Sequence, residues 1–142
     1  MQKIETTRFG EIEIDETGKI FFPEGLPGFT DCREYVILDH RPGSPFKWLQ
    51  CLTNPGLAFV MMNPFLIRPD YLKDLSPAEE RLISESSDEP VTIFTLVTIP
   101  LNRPEKATVN LLGPIVLKSR SMHARQVILA ESGYSHCHPL QG

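Results

Sequence analysis

No run of apolar residues in this 142-residue chain approaches the ~18 needed to cross a bilayer as a helix. The charged first ten residues also lack the apolar stretch of a secretory signal, so membrane insertion and secretion are disfavoured. Cysteine is limited to Cys32, Cys51 and Cys137, an odd set that cannot pair completely and whose spacing matches no zinc or redox motif. A reducing cytoplasm is the expected setting. The nine glycines form no Gly-x-Gly pair and no Gly-Lys-Ser/Thr, which excludes the dinucleotide fingerprint and the Walker loop. Gly-x-Ser-x-Gly and His-Glu-x-x-His are absent as well. With no internal repeat, low-complexity tract or linker, residues 1–142 read as a single domain.

What is present is an ordinary globular composition, 41% apolar and 23% charged, with a net charge of −4. A chain of this size hides roughly 70% of its unfolded surface on folding and needs neither disulfide nor metal for a core. The charge is unevenly placed. Between Asp70 and Glu89 seven acids face two bases, a net of −5, which leaves the remainder near +1. Lys118, Arg120, His123 and Arg125 form the one basic cluster. It is too small, and too short of aromatics, for a nucleic-acid stripe, and reads as a solvated turn.

Thirteen prolines cut the chain into short segments. Pro27-Gly28, Pro42-Gly43 and Pro55-Gly56 read as type II turns, with proline fixing φ and glycine taking the positive φ that follows. Between the turns lie nine β-branched or aromatic segments: 4–9, 11–14, 19–22, 35–38, 46–52, 57–62, 91–99, 107–112 and 115–117. Segment 91–99 is apolar or threonine on both faces and predicts a central strand. Segment 11–14 alternates glutamate with isoleucine, which predicts a half-exposed strand paired through the 16–18 turn to segment 19–22. One helix is signalled at 76–85: Ser76 caps, Pro77 occupies the first helical position, and Glu79 completes a capping box. The 121–131 window suits helix or strand equally. The expected fold is all-β, a mostly antiparallel small barrel or pseudo-barrel with that one short helix.

Reactive constellations are weak. Ser44 and Lys47 match Ser-x-x-Lys formally, but Pro45 and the strand-like segment behind it point the pair apart. His40 and His123 sit in surface-like contexts. His136-Cys137-His138 carries metal-binding residue types and supports one alternative, a small metal- or thiol-dependent hydrolase, yet it stands near the chain end and reads as a tail lying on the body. Glu79-Glu80 and Asp88-Glu89 are adjacent rather than three or four apart, so their carboxylates diverge. The run from Leu57 to Phe65 concentrates methionine and phenylalanine without polar alternation. It reads mostly as core, with part of it available as an adaptable recognition groove.

Several blocks then align, in one order, with a known family. They are Glu5-Thr-Thr-Arg-Phe-Gly-Glu-Ile-Glu-Ile-Asp15, Phe22-Pro-Glu-Gly-Leu-Pro-Gly-Phe29, Trp48-Leu-Gln50, Leu57-Ala-Phe-Val60, Asn63-Pro64, Asn110-Leu-Leu-Gly-Pro-Ile-Val116, Gln126-Val-Ile-Leu129, Tyr134 and His138-Pro-Leu140. Nearly end to end, the chain resembles the FliW family of flagellar assembly factors. The block at 22–29 is the most specific. Cys51 replaces a common serine, and Lys118 a common asparagine. The resemblance implies a small antiparallel β-barrel, no catalysis, no cofactor, and two alternative protein partners in the bacterial cytoplasm. One is flagellin awaiting export; the other is CsrA, the translational repressor of flagellin, which the family member keeps off the flagellin message. It also resolves 121–131 as turn plus strand.

From the residues themselves, flagellin is expected to use apolar anchors: Met61, Met62, Phe65, Ile67 and Tyr71, with Ile99 at the end of the central strand. The basic repressor is expected to be steered by Asp70, Asp74, Glu79, Glu80 and Glu85. No direct nucleic-acid contact, no membrane contact, no metal and a monomeric free state complete these expectations. A sugar- or nucleic-acid-binding barrel is disfavoured by the missing basic groove.

Overall fold

The computed structural model describes residues 2–39, 41–84 and 89–140. Its strands are β1 (Gln2–Thr6), β2 (Gly10–Ile14), β3 (Lys19–Phe21), β4 (Glu34–Asp39), β5 (Phe46–Cys51), β6 (Ala58–Met62), β7 (Val91–Thr98), β8 (Thr108–Val109), β9 (Ile115–Lys118), β10 (Ala124–Gln126) and β11 (His138–Pro139). The helix α1 spans Pro77–Ser84. The main sheet runs β10-β9-β7-β6-β5-β4-β3, every ladder antiparallel, with β8 and then β11 branching from the second half of β7. Its two ends meet at one parallel bridge, Phe21 to His123, where the Phe21 N–H donates to the Met122 carbonyl at 2.9 Å. The sheet curls toward a barrel without closing. Among the described residues no helix is long and apolar enough to cross a membrane.

All nine expected strands form, and the 121–131 window yields a turn followed by β10. One pairing differs. β2 pairs with β1, not β3, in the register Ile4↔Ile12. Thr6 explains the choice: its hydroxyl donates to the Gly10 carbonyl and accepts from the Phe9 N–H, both at 2.8 Å, which closes the first hairpin locally. Residues 16–18 form a 3₁₀ turn capped by Asp15, and this delivers β3 to β4. Among the expected type II turns, Gly28 and Gly43 have φ of +85° and +80°, whereas Gly56 lacks a positive φ. There the Asn54 side chain accepts the Gly56 N–H at 3.1 Å and shapes the turn instead.

β7 is central, as its two apolar faces require. Phe94 and Leu96 pack against the main core, built on Tyr35, Phe22, Leu49, Met61 and Ile115. Ile93 and Val97 pack on the opposite side with Met62, Tyr71, Val109 and Leu111. Two motif glycines follow from close approach. A Cβ on Gly25 would lie 2.7 Å from the Thr30 Cα, and its φ is +67°. A Cβ on Gly113 would meet the Gln126 amide at 2.8 Å, the same amide that donates to the Gly113 carbonyl while Asn110 accepts the Gly113 N–H. The buried Gln50 amide nitrogen lies within 3.0–3.4 Å of the carbonyls of Cys51, Asn54, Pro55 and Leu57 and gathers that turn.

The cysteine spacing alone predicts no pairing. Cys32 and Cys51 form a disulfide with Cα atoms 6.5 Å apart, because the β4–β5 register sets Tyr35 opposite Cys51 and the chain before β4 passes beneath. Cys137 is free and exposed.

Candidate functional site

The acidic and apolar candidates fall on one connected stretch, from β6 through α1. β6 ends at Met62, and Asn63 then caps a 3₁₀ turn at Pro64–Leu66 by accepting the Phe65 N–H at 3.0 Å. That turn holds Phe65 and Leu66 outward, 38% and 61% exposed. The chain next tightens through Arg68, Tyr71 and Lys73, and Ser76 starts α1 by accepting the Glu79 N–H at 3.2 Å.

Tyr71 anchors this stretch. Its hydroxyl donates to the Leu111 carbonyl at 2.5 Å, and its ring packs edge-on against Phe65 at 5.8 Å and Tyr134 at 4.8 Å. Burial, and then the neighbouring Tyr134, push its hydroxyl pKa above the ordinary tyrosine range, so it stays a donor. Leu72 follows in the left-handed region, φ +69°, a strain of about 1–3 kcal/mol. Its N–H is held at 2.9 Å by the Tyr134 hydroxyl, and Arg68 lies 5.1 Å over the Tyr134 ring. Asp70 is thereby presented at a fixed place, 3.5 Å from the Arg68 Nε.

The structure divides the apolar candidates. Met61 and Met62 are 0% and 3% exposed. Successive residues of a strand face opposite ways, and β6 is covered on both sides, so Met61 enters the main core and Met62 the second one. Tyr71 is equally interior. These three are framework residues, which corrects their reading as surface anchors. Ile67 is half-buried, while Phe65 is available. Ile99 is exposed but stands apart: Met62 pairs with Thr95, and Ile99 lies just past the end of β7, four residues and so roughly 13 Å beyond that pair, on the side away from the 3₁₀ turn. Leu66, which no periodicity marked, joins Phe65 instead.

The acidic candidates also divide. Asp70, Asp74 and Glu80 are exposed. Glu85 lies outside the described residues, as does His40. Glu79 is only 3% exposed, which corrects its reading as a steering charge. Its carboxylate does not complete the capping box; one oxygen accepts the Glu131 N–H at 3.0 Å, tying α1 to the segment after β10, and the other has no described partner. Glu79→Ala should therefore lower unfolding free energy by about 1–3 kcal/mol in urea titration, since it orphans that N–H. Glu79→Gln, which keeps an acceptor, should retain most of it, and Glu80→Ala should change stability by under about 0.5 kcal/mol.

Elsewhere the reactive residue types do not converge. His138 sits in β11 opposite Val109, His136 and Cys137 are exposed, and the tail lies on the body as expected. Among the described residues, no group of three or more His, Cys, Asp or Glu side chains is placed to hold a metal ion. The Ser44 hydroxyl accepts the Phe46 N–H while Lys47 pairs with Asp39 at 2.7 Å, so those two serve local structure. Nothing in this geometry favours the hydrolase alternative.

The family model described as "FliW protein" matches residues 3–140. The chain is 39% identical to a flagellar assembly factor FliW of Natranaerobius thermophilus, covering 97% of this chain and 91% of that protein. It is 41% identical to the Bacillus licheniformis protein of the same description and 36% identical to that of Bacillus subtilis, each over 98% of this chain and 96% of the relative. A crystal structure of the flagellar assembly factor FliW superposes with a TM-score of 0.85 at 31% identity, covering 99% of this chain and 98% of that one.

Proposed function

The chain belongs to the FliW family of flagellar assembly factors, and from that premise we propose that it is a cytoplasmic, non-catalytic partner switch that holds either flagellin or the repressor CsrA. The single observation carrying this reading is the family match, which spans residues 3–140. Flagellin awaiting export occupies the protein when abundant. When flagellin is scarce, the free monomer takes the repressor and keeps it from the flagellin message.

The surface supports a division of labour. Phe65 and Leu66 form an exposed apolar pair on a capped turn, the kind of anchor that a helical segment of flagellin can cover. Asp70, Asp74 and Glu80 lie exposed on the segment that follows, suited to steering a basic RNA-binding protein and to raising the cost of admitting RNA phosphates beside it.

Retention of each purified partner by the immobilised chain tests the reading, and loss of both would overturn it. Phe65→Ala should weaken flagellin binding by about 2 kcal/mol, measured by calorimetry, with little effect on the repressor. Asp74→Lys combined with Glu80→Lys should weaken the repressor and flatten the salt dependence of its affinity. Identical titrations at low and moderate salt would remove the electrostatic role.

A further inference from the structure

The hairpin of β9 and β10 has two dissimilar faces. Ile115, Leu117 and Ala124 enter the main core, so strand alternation sends Val116 and Lys118 to the other side. There the register sets Val91 against Lys118 and Arg125 against Val116, and the Lys118 N–H donates to the His123 carbonyl at 2.8 Å. This face borders a cavity of about 300 Å³, which the end of α1 and Glu24 also line.

Its chemistry is uneven. Val91, Val116 and Ile83 give an apolar lining, while Lys118, His123 and Arg125 bring basic groups to it. Arg125 is already positioned, its guanidinium donating to the Leu82 carbonyl at 2.5 Å, and the His123 ring packs on Phe21 at 5.6 Å. Lys118 makes no ion pair among the described residues. Glu89 feels the Lys118 charge, yet its carboxylate is engaged by the N–H groups of Ser121 and Arg120 at 2.6 and 3.1 Å. Among the described residues of the lining, one is an acid, Glu24.

We propose that this cavity binds a small organic carboxylate with an apolar body, the carboxylate meeting Lys118 and the body resting on Val91 and Val116. The volume lies at the small end of ligand sites. The site borders α1 through Ile83 and Ser84 but uses none of the exposed residues Phe65, Leu66, Asp70, Asp74 or Glu80.

The test is a nitrogen-15 NMR titration of the full chain with 3-phenylpropionate and, in parallel, with its neutral amide 3-phenylpropionamide. The expected result is saturable shifts centred on the amides of Val91, Val116 and Ala124, with a dissociation constant on the order of 1 mM. Lys118→Met, which keeps the stem and removes the charge, should weaken the acid about tenfold, and the neutral amide should bind the native chain equally weakly. Absence of saturation, or equal binding of acid and amide, overturns the proposal without relying on any variant. Saturation by the blocked peptide acetyl-Leu-Glu-Leu-amide but not by the free acid would overturn it too, in favour of a protein side chain as occupant.

Discussion

Truncating Tyr71 to alanine should remove about 3–5 kcal/mol of stability and lower the melting temperature by roughly 10–15 °C. The side chain is 3% exposed, touches two other aromatic rings and satisfies the Leu111 carbonyl, so its loss combines a large cavity with an orphaned acceptor. Tyr71→Phe separates the two contributions and should cost only about 1–3 kcal/mol. A functional consequence follows. With the ring gone, Leu72 loses the packing that offsets its strained backbone, and Asp70 is no longer held in place. Repressor binding should weaken at temperatures where circular dichroism still reports a folded sheet. The same burial has a pH signature. Tyr71 is shifted upward and Tyr35 is pushed up to about 12, both mainly by burial. For a raised pKa, the neutral folded form is favoured, so stability is whole below the ordinary tyrosine value of about 10 and drains as pH climbs through the folded values. Denaturant midpoints that stay level from pH 9 to beyond about 12 would contradict this.

The second large effect concerns Cys32 and Cys51. Their bond closes a loop across a sequence separation of 19, for which chain entropy gives a stabilisation of about 3 kcal/mol. The oxidised protein should melt roughly 10 °C above the reduced one, and Cys32→Ser should remove the difference. Cys137→Ser should leave it intact. In a reducing compartment the two positions act as buried thiols beside Thr53, whose hydroxyl lies 3.6 Å from the Cys32 sulfur and 3.4 Å from the Cys51 sulfur. The fold then rests on its apolar core alone, which a chain of this size can sustain. A melting temperature indifferent to reductant would show that the pair carries no stability.

Strand positions were legible because alternation and turn chemistry are local, and α1 was legible because Ser76 and Pro77 set its start within a single turn. The partner of β2 was not, since two nearby turns could each supply one, and the Thr6 hydroxyl favours β1 through its bonds to Phe9 and Gly10. Met61 and Met62 read as available because the run from Leu57 shows no polar face. That absence of alternation means burial on both sides, as it does for β7. Glu79 read as solvated because charge suggests exposure, and only the arrival of residues 127–131 over α1 gave its carboxylate an interior role. Ile99 was placed at the end of the central strand, but the β6–β7 register, which the sequence does not state, sends that end away from Phe65. The exposed Leu66 carried no periodic signal at all, since a 3₁₀ turn of three residues has none.

On the function proposed above, this protein acts by alternative occupancy rather than by a reaction. An order-of-addition band-shift assay tests it most directly, using labelled flagellin leader RNA, purified CsrA repressor and this chain. The chain should release RNA from the repressor in proportion to its concentration, and flagellin added afterwards should return the repressor to the RNA. RNA that stays repressor-bound at saturating chain, or a release that flagellin cannot reverse, would contradict the claim.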